Sequence, residues 1–146
     1  PWWTADGKHI LFTSDRDGSW QIYIMNPDCS NVQELTHIDG RTNLYPAVSP
    51  DGKKVVFSSQ VTATNEGDIY IMNIDGSDLT RLTNTAALNN IPSFCPDSEH
   101  IVFESDRAGN TDIYMMNSDG SNVTQLTTDP GEDTTASCGY IKVTNP

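Results

Sequence analysis

Basic residues are scarce in this sequence of 146 residues: 8 Lys+Arg stand against 20 Asp+Glu, a formal net charge of -12 with His neutral. A chain of that sign repels a polyphosphate backbone, so nucleic acid is excluded as an expected partner. Long hydrophobic runs are lacking too. Apolar stretches such as Ile22-Tyr23-Ile24-Met25 are short, whereas a membrane helix needs roughly 20 such residues; no membrane span is expected. The chain opens at Pro1 without an initiator Met, a basic segment or an apolar signal core, so any targeting peptide is expected to have been removed or to lie outside this sequence. Cysteine is sparse and odd in number. Cys29, Cys95 and Cys138 form no Cys-x-x-Cys and no Cys/His pair at zinc spacing, which argues against a structural zinc site. One bridge plus a free thiol and three unpaired thiols both remain open. No Gly-x-Ser-x-Gly elbow, His-Glu-x-x-His or phosphate-binding Gly-rich loop is present, so no catalytic constellation emerges.

What is present is a folding chain. Hydrophobic residues make up 36%, too much apolar material for a disordered segment despite the charge. Asp outnumbers Glu by 15 to 5, and because Asp accepts hydrogen bonds from its own following backbone, that bias predicts many tight turns. Self-comparison then exposes a repeat. Pro1-Trp2-Trp3-Thr4-Ala5-Asp6-Gly7-Lys8 recurs as Pro46-Ala47-Val48-Ser49-Pro50-Asp51-Gly52-Lys53, and more loosely from Pro92 to Glu99. Ile10-Leu11-Phe12-Thr13-Ser14 matches Val55 to Ser59 and Ile101 to Ser105. Ile22-Tyr23-Ile24-Met25-Asn26 matches Ile69 to Asn73 and Ile113 to Asn117, and each copy ends in Leu-Thr at Leu35-Thr36, Leu82-Thr83 and Leu126-Thr127.

Each unit holds four short runs rich in β-branched and aromatic residues, separated by turn residues, and none has a helical period. Asp6-Gly7, Asp51-Gly52, Asp75-Gly76 and Asp119-Gly120 suit turns that need a positive φ. Asp28-Cys29 and Asp97-Ser98 replace Asp-Gly at two such places, so those turns are expected to be strained. The middle strands are apolar on both pleat faces, so both faces must be covered. A four-stranded antiparallel sheet covered on each side by a copy of itself, at a period of about 45 residues, is a β-propeller blade; the rival, a β-sandwich, should alternate apolar and polar residues and need not repeat its sequence. The expected architecture is all-β: an incomplete propeller arc with blades at residues 1–45, 46–91 and 92–135, a partial fourth start, and a strand or tail at 136–146 able to clasp a neighbouring blade or subunit.

The run from Pro46 through Val48-Ser49-Pro50-Asp51-Gly52-Lys53 to Ser59, followed by Asp68-Ile69-Tyr70-Ile71-Met72-Asn73 and Leu79-Thr80-Arg81-Leu82-Thr83, resembles the TolB-like β-propeller repeat. The Ser14-Asp15-Arg16-Asp17-Gly18 loop fits the same pattern. The resemblance spans residues 1 to about 135 and implies innermost strands around Trp3, Val48 and Phe94. It also implies a non-enzymatic module, periplasmic or secreted, that works through protein partners and in some members holds ions in the channel. The alternative it leaves open is a propeller segment of a larger enzyme, of the prolyl-oligopeptidase or carbohydrate-lyase kind. Propellers close with about four to eight blades, so bare end blades point to further blades in a longer protein or to self-association, as a ring or as a structural filament.

Oxygen-rich loops supply the ligand candidates. Asp15 and Asp17 alternate before Gly18, a partial echo of calcium-loop chemistry that lacks the terminal Glu; the competing reading is a hydrogen-bonded hairpin loop. Three residues before the Pro that starts each inner strand stand Asn43 and Asn89, with Asp133 at the partial fourth start, where Ala136 replaces Pro. Around a channel these would form an oxygen-lined mouth for a cation, a polar peptide or a glycan; the competing reading is loop capping. His9 and His100 share the repeat position of Lys54 and read as solvated, as does His37 in a connecting loop. Asn122-Val123-Thr124 is a glycosylation sequon, although the repeat places Asn31 and Asp78 at the same position, which favours a turn residue. Cys95 and Cys138 fall one repeat position apart on neighbouring inner-strand starts. A bridge between them is conceivable, with the spacing of inner strands against it.

Overall fold

A computed structural model describes residues 1–64 and 66–139 of the chain. The repeat folds into three antiparallel sheets of four strands each, every strand pairing with its sequence neighbours. The first holds β1 (Trp2–Trp3), β2 (Ile10–Ser14), β3 (Gln21–Met25) and β4 (Gln33–Glu34). The second holds β5 (Arg41–Val48), β6 (Lys54–Val61), β7 (Gly67–Asn73) and β8 (Thr80–Arg81). The third holds β9 (Asn89–Phe94), β10 (His100–Ser105), β11 (Asp112–Asn117) and β12 (Thr124–Gln125). No helix occurs among the described residues. These are propeller blades, and the arc they form is open. The inner strands β5 and β9 begin ahead of Pro46 and Pro92.

The Asp-rich turns explain the composition. Asp6 Oδ1 accepts the Thr4 hydroxyl at 2.7 Å and the Lys8 amide at 3.1 Å, and Asp51 does the same for Ser49 and Lys53. Asp28, Asp75 and Asp119 each accept the hydroxyl of Ser30, Ser77 or Ser121 at 2.6 Å, together with its amide. These bonds stabilise the ionised form and hold all five carboxyls below the usual range. The two substituted turns are strained as expected: Cys29 and Ser98 sit at φ 66° and 60°, a left-handed conformation costly to any residue with a Cβ. Asn31, Asp78 and Asn122 all share a positive φ near 50°, so the sequon Asn occupies a turn position that Asn and Asp tolerate.

Leu-Thr closes each blade by a common bond. Thr36, Thr83 and Thr127 each accept the amide of the first Ile in the third strand at about 3 Å and donate to Gln21, Asp68 or Asp112. Burying those polar groups requires such pairing.

Two apolar seams join the blades. Leu11 and Ile22 of the first blade pack with Val55, Phe57 and Met72 of the second; Val56, Ile69 and Ile71 of the second pack with Ile101, Phe103 and Met116 of the third. Adjacent residues on a middle strand thus face opposite neighbours, which is why those strands do not alternate in polarity. The end faces show the complement. Ile10, Phe12 and Met25, the repeat counterparts of Val55, Phe57 and Met72, are only half-buried, and Leu126 is 49% exposed, whereas Leu35 and Leu82 are half-buried beneath the next blade.

The segment after the third blade behaves as a fourth inner-strand start. The Asp133 amide donates to Thr111 O at 2.8 Å, just as the Asn43 amide donates to Trp20 O. The Thr135 amide donates to Glu104 of the third blade, and a Cys95–Cys138 disulfide with Cα atoms 4.8 Å apart ties the segment down. The spacing that argued against this bridge does not hold, because residues 133–138 lie directly against the third blade. Cys29 is free and exposed. Residues 136–139 carry no strand, and the rest of the expected clasp, 140–146, lies outside the described residues.

Candidate functional site

The backbone at the start of each inner strand is held in an unusual conformation. Tyr45, Ile91 and Thr135 occupy one repeat position and all adopt positive φ, at 53°, 45° and 59°. For a β-branched residue such as Ile91 this is a strained conformation that the surroundings must impose. The first two coincide with breaks in the pairing of β5 with β6 and of β9 with β10. The Ile91 amide donates across the seam to Ser58 Oγ at 3.0 Å, so the bulge at Ile91 is pinned by the preceding blade.

Two residues earlier stand Asn43, Asn89 and Asp133. Asn43 and Asn89 are fully buried, so their side chains point into the seams. Asn43 Nδ2 donates to Gln21 Oε1 at 2.6 Å, and Asn89 Nδ2 donates to Gly67 O at 2.8 Å. Asn89 Oδ1 also accepts from Ser105 Oγ at 2.9 Å and from the Arg107 guanidinium at 2.6 Å. The equivalent acceptor in the earlier seam, Asn43 Oδ1, has no partner among the described residues, and neither has the Ser59 hydroxyl; Val61 stands where the other blades have Arg16 and Arg107. Asp133 is half-buried, and its Oδ2 has no partner among the described residues.

What this framework presents to solvent is aromatic. Tyr45 is 46% exposed, and Trp20, whose carbonyl holds the Asn43 amide, is 43% exposed. Sequence reasoning singled out the polar anchors and missed the exposed rings beside them. The available signal was Tyr45, an aromatic residue immediately before Pro46.

Asp15 and Asp17 lie in the turn between β2 and β3, where Gly18 takes φ 99°. Asp17 Oδ2 accepts the Tyr23 hydroxyl at 2.7 Å. Burial and this bond push the Tyr23 phenol up to about 12. Between the two carboxylates Arg16 stacks over Tyr23 and Phe12, 4.7 and 5.1 Å from their ring centres; Arg107 repeats this over Tyr114 and Phe103. The Ser-Asp-Arg pattern therefore works as a clamp on the aromatic pair of the middle strands. In the second blade, which lacks it, Arg41 approaches Tyr70 at 5.8 Å. Among the described residues no three His, Cys, Asp or Glu side chains are grouped so as to hold a metal ion. His100 Nδ1 lies 2.7 Å from Asp97, half-exposed at a turn, and His37 bonds Glu34 on the surface.

A blade arc with pinned inner loops defines the class as a propeller repeat protein, and comparison places it within that class. The profile of the TolB beta propeller domain matches residues 1–66 and 40–140, so the chain belongs to the TolB β-propeller family. It is 35% identical over 109 residues to the Tol-Pal system protein TolB of Francisella tularensis, covering 75% of this chain and 25% of that protein. The structure of a protein of Agrobacterium tumefaciens classed with TolB superposes with a TM-score of 0.75 at 32% identity, over 86% of this chain and 47% of that one. A puromycin hydrolase superposes at 0.68 with 20% identity, over 78% of this chain and 19% of the enzyme, a likeness of fold alone.

Proposed function

We propose that this chain is part of a non-enzymatic propeller that binds a protein partner outside the cytoplasm, in the periplasm or as a secreted protein. The observation that carries the reading is the pairing of exposed Trp20 and Tyr45 with a backbone fixed by the buried Asn43. Rigid aromatic side chains give large contact area at low ordering cost and are the commonest hot spots of protein interfaces. Membership of the TolB family supports a protein partner, and the Cys95–Cys138 disulfide supports an oxidising compartment. A photo-crosslinking residue at Tyr45 or Trp20, introduced in the producing cells, is expected to capture one discrete protein that the same residue at Val32, on the outer rim, does not. Equal capture at all three positions, or none, overturns the reading.

The half-buried front of the first blade and the bare Leu126 support a second role for the end faces, that of receiving further blades, whether of the same polypeptide or of another copy. Sedimentation of the isolated chain is expected to show association that weakens when Leu126 is changed to Asp; a concentration-independent monomer contradicts it. Calcium at Asp15 and Asp17 is a separate proposal, supported by two neighbouring carboxylates at a glycine-turned loop. A melting temperature raised by calcium, with the rise lost in the Asp15→Ala, Asp17→Ala double variant, is its expected result, and equal melting in calcium and in chelator rejects it.

A further inference from the structure

A groove of about 510 Å³ opens between the first and second blades on the side of the first and third turns. That volume lies in the range of built binding sites. Its apolar side is made by Ile24 and Leu35 of the first blade and Ile74 of the second, and three carboxylates, Asp6, Asp51 and Asp75, stand around it. Turn hydrogen bonds hold all three ionised, and among the described residues no Lys or Arg lines the groove, although exposed Lys8 and Lys53 stand 3.9 and 3.3 Å from Asp6 and Asp51 outside it.

The repeat supplies a template for what such a groove accepts. The next seam carries the same groove at counterpart positions, with Ile71 and Leu82 for Ile24 and Leu35 and with Asp119 for Asp75, but its volume is only about 300 Å³. There Lys54 replaces His9. Its ammonium donates to Asn73 Oδ1 at 2.7 Å, and Asn73 is the repeat counterpart of Asn26, which lines the larger groove. The second groove is thus provided with an alkylammonium from its own blade. The first shares the Ile and Leu of that apolar wall, with Ile74 where the second has Ser118, and has the counterpart amide acceptor and more carboxylate around it, with a shorter imidazole at the place of the lysine.

We propose that the groove between the first and second blades binds a lysine side chain of a partner protein, its methylene stem on Ile24, Leu35 and Ile74 and its ammonium toward Asn26 and the surrounding carboxylates. The proposal deepens the protein-binding reading by naming the side chain that this side of the arc recognises. It depends on that reading only for a protein as the source of the lysine.

The test is an amide NMR titration of the whole chain with N-acetyl-lysine-N-methylamide, with the norleucine analogue as the uncharged control of equal stem length. Saturable shifts are expected at Asn26, Asn31 and Gln33, with a Kd of order millimolar for so small a ligand. The norleucine analogue and the His9→Lys variant, which fills the groove as Lys54 fills its neighbour, are each expected to weaken binding about tenfold. Lysine and norleucine probes binding alike, unchanged binding in His9→Lys, or shifts spread over every acidic turn overturn the proposal. A single blocked amino acid does not engage Trp20 and Tyr45, so failure here and failure of crosslinking at Tyr45 are separate results.

Discussion

Replacing Gly120 by Ala tests whether the blades are held at a fixed backbone distance. Gly120 takes φ 86°, and a Cβ built there falls 2.9 Å from Leu82 O of the preceding blade. Gly7 takes φ 68° in an equivalent hairpin conformation but meets nothing within 4 Å. Left-handed backbone costs a residue with a Cβ about 1–2 kcal/mol, offset by about 0.4–1 kcal/mol because Ala restricts the unfolded chain. Gly7→Ala should therefore destabilise by about 0.5–1 kcal/mol. Gly120→Ala carries the same backbone cost plus overpacking against the carbonyl of Leu82, whose own amide is held by Ile69 O at 2.8 Å, about 1–3 kcal/mol more. Gly76, whose Cβ would stand 3.2 Å from Leu35 O, should fall between them. Urea unfolding of the three variants, compared at constant m-value, should give the order Gly7, Gly76, Gly120 with increasing loss. Equal losses for Gly7→Ala and Gly120→Ala would refute the fixed seam, since only backbone strain would then be read.

Other consequences follow from the same contacts. The folded Tyr23 phenol lies above its unfolded value of 10.0, so its contribution is complete below pH 10 and is lost as pH rises through about 12; the alkaline fall in urea midpoint should be shallower in Tyr23→Phe. The turn carboxylates act with the opposite sign. Folded values below 3.8 at Asp6, Asp28, Asp51, Asp75 and Asp119 mean stability held above pH 3.8 and lost as pH falls below it, and midpoints measured down the acid range should drop there. Thr83→Val strands the Ile69 amide and removes a hydroxyl from buried Asp68, at a cost of about 2 kcal/mol in the same unfolding assay. Cys138→Ser opens a loop closed across 43 residues, worth about 4 kcal/mol by chain entropy, and hydrogen exchange at Asp133 and Thr135 should accelerate first.

The blades were legible in the sequence because each is a local object: strand, Asp-turn and Leu-Thr closure lie within one repeat and recur three times. Strain at Cys29 and Ser98 was legible for the same reason, since a residue replacing Gly at a fixed turn position must take the φ that Gly took. The positive φ shared by Tyr45, Ile91 and Thr135 was not. Nothing in their own sequence favours a left-handed conformation, and Ile91 resists it; the partner that fixes it, Ser58, stands 33 residues earlier on another blade. Non-local bonds of that kind leave no periodic trace.

The same distinction governs the candidate site. Counting back from Pro46 and Pro92 found Asn43 and Asn89 because they occupy a repeat position, and repetition marks what every seam needs: a buried amide between blades. Binding surfaces have no reason to repeat. Tyr45 aligns with Ile91 and Thr135, Trp20 with Gly67 and Thr111, and His9 with Lys54 in the second copy and His100 in the third, so the features proposed to engage a partner are places where the first copy differs from the second. In a chain built from copies of one blade, agreement among copies reports the packing that all seams share, and divergence at exposed positions reports recognition. By that criterion the first seam, with Trp20, Tyr45 and the enlarged groove at His9, is where a partner's contacts should concentrate, and the better-filled second seam is the internal control for each of them.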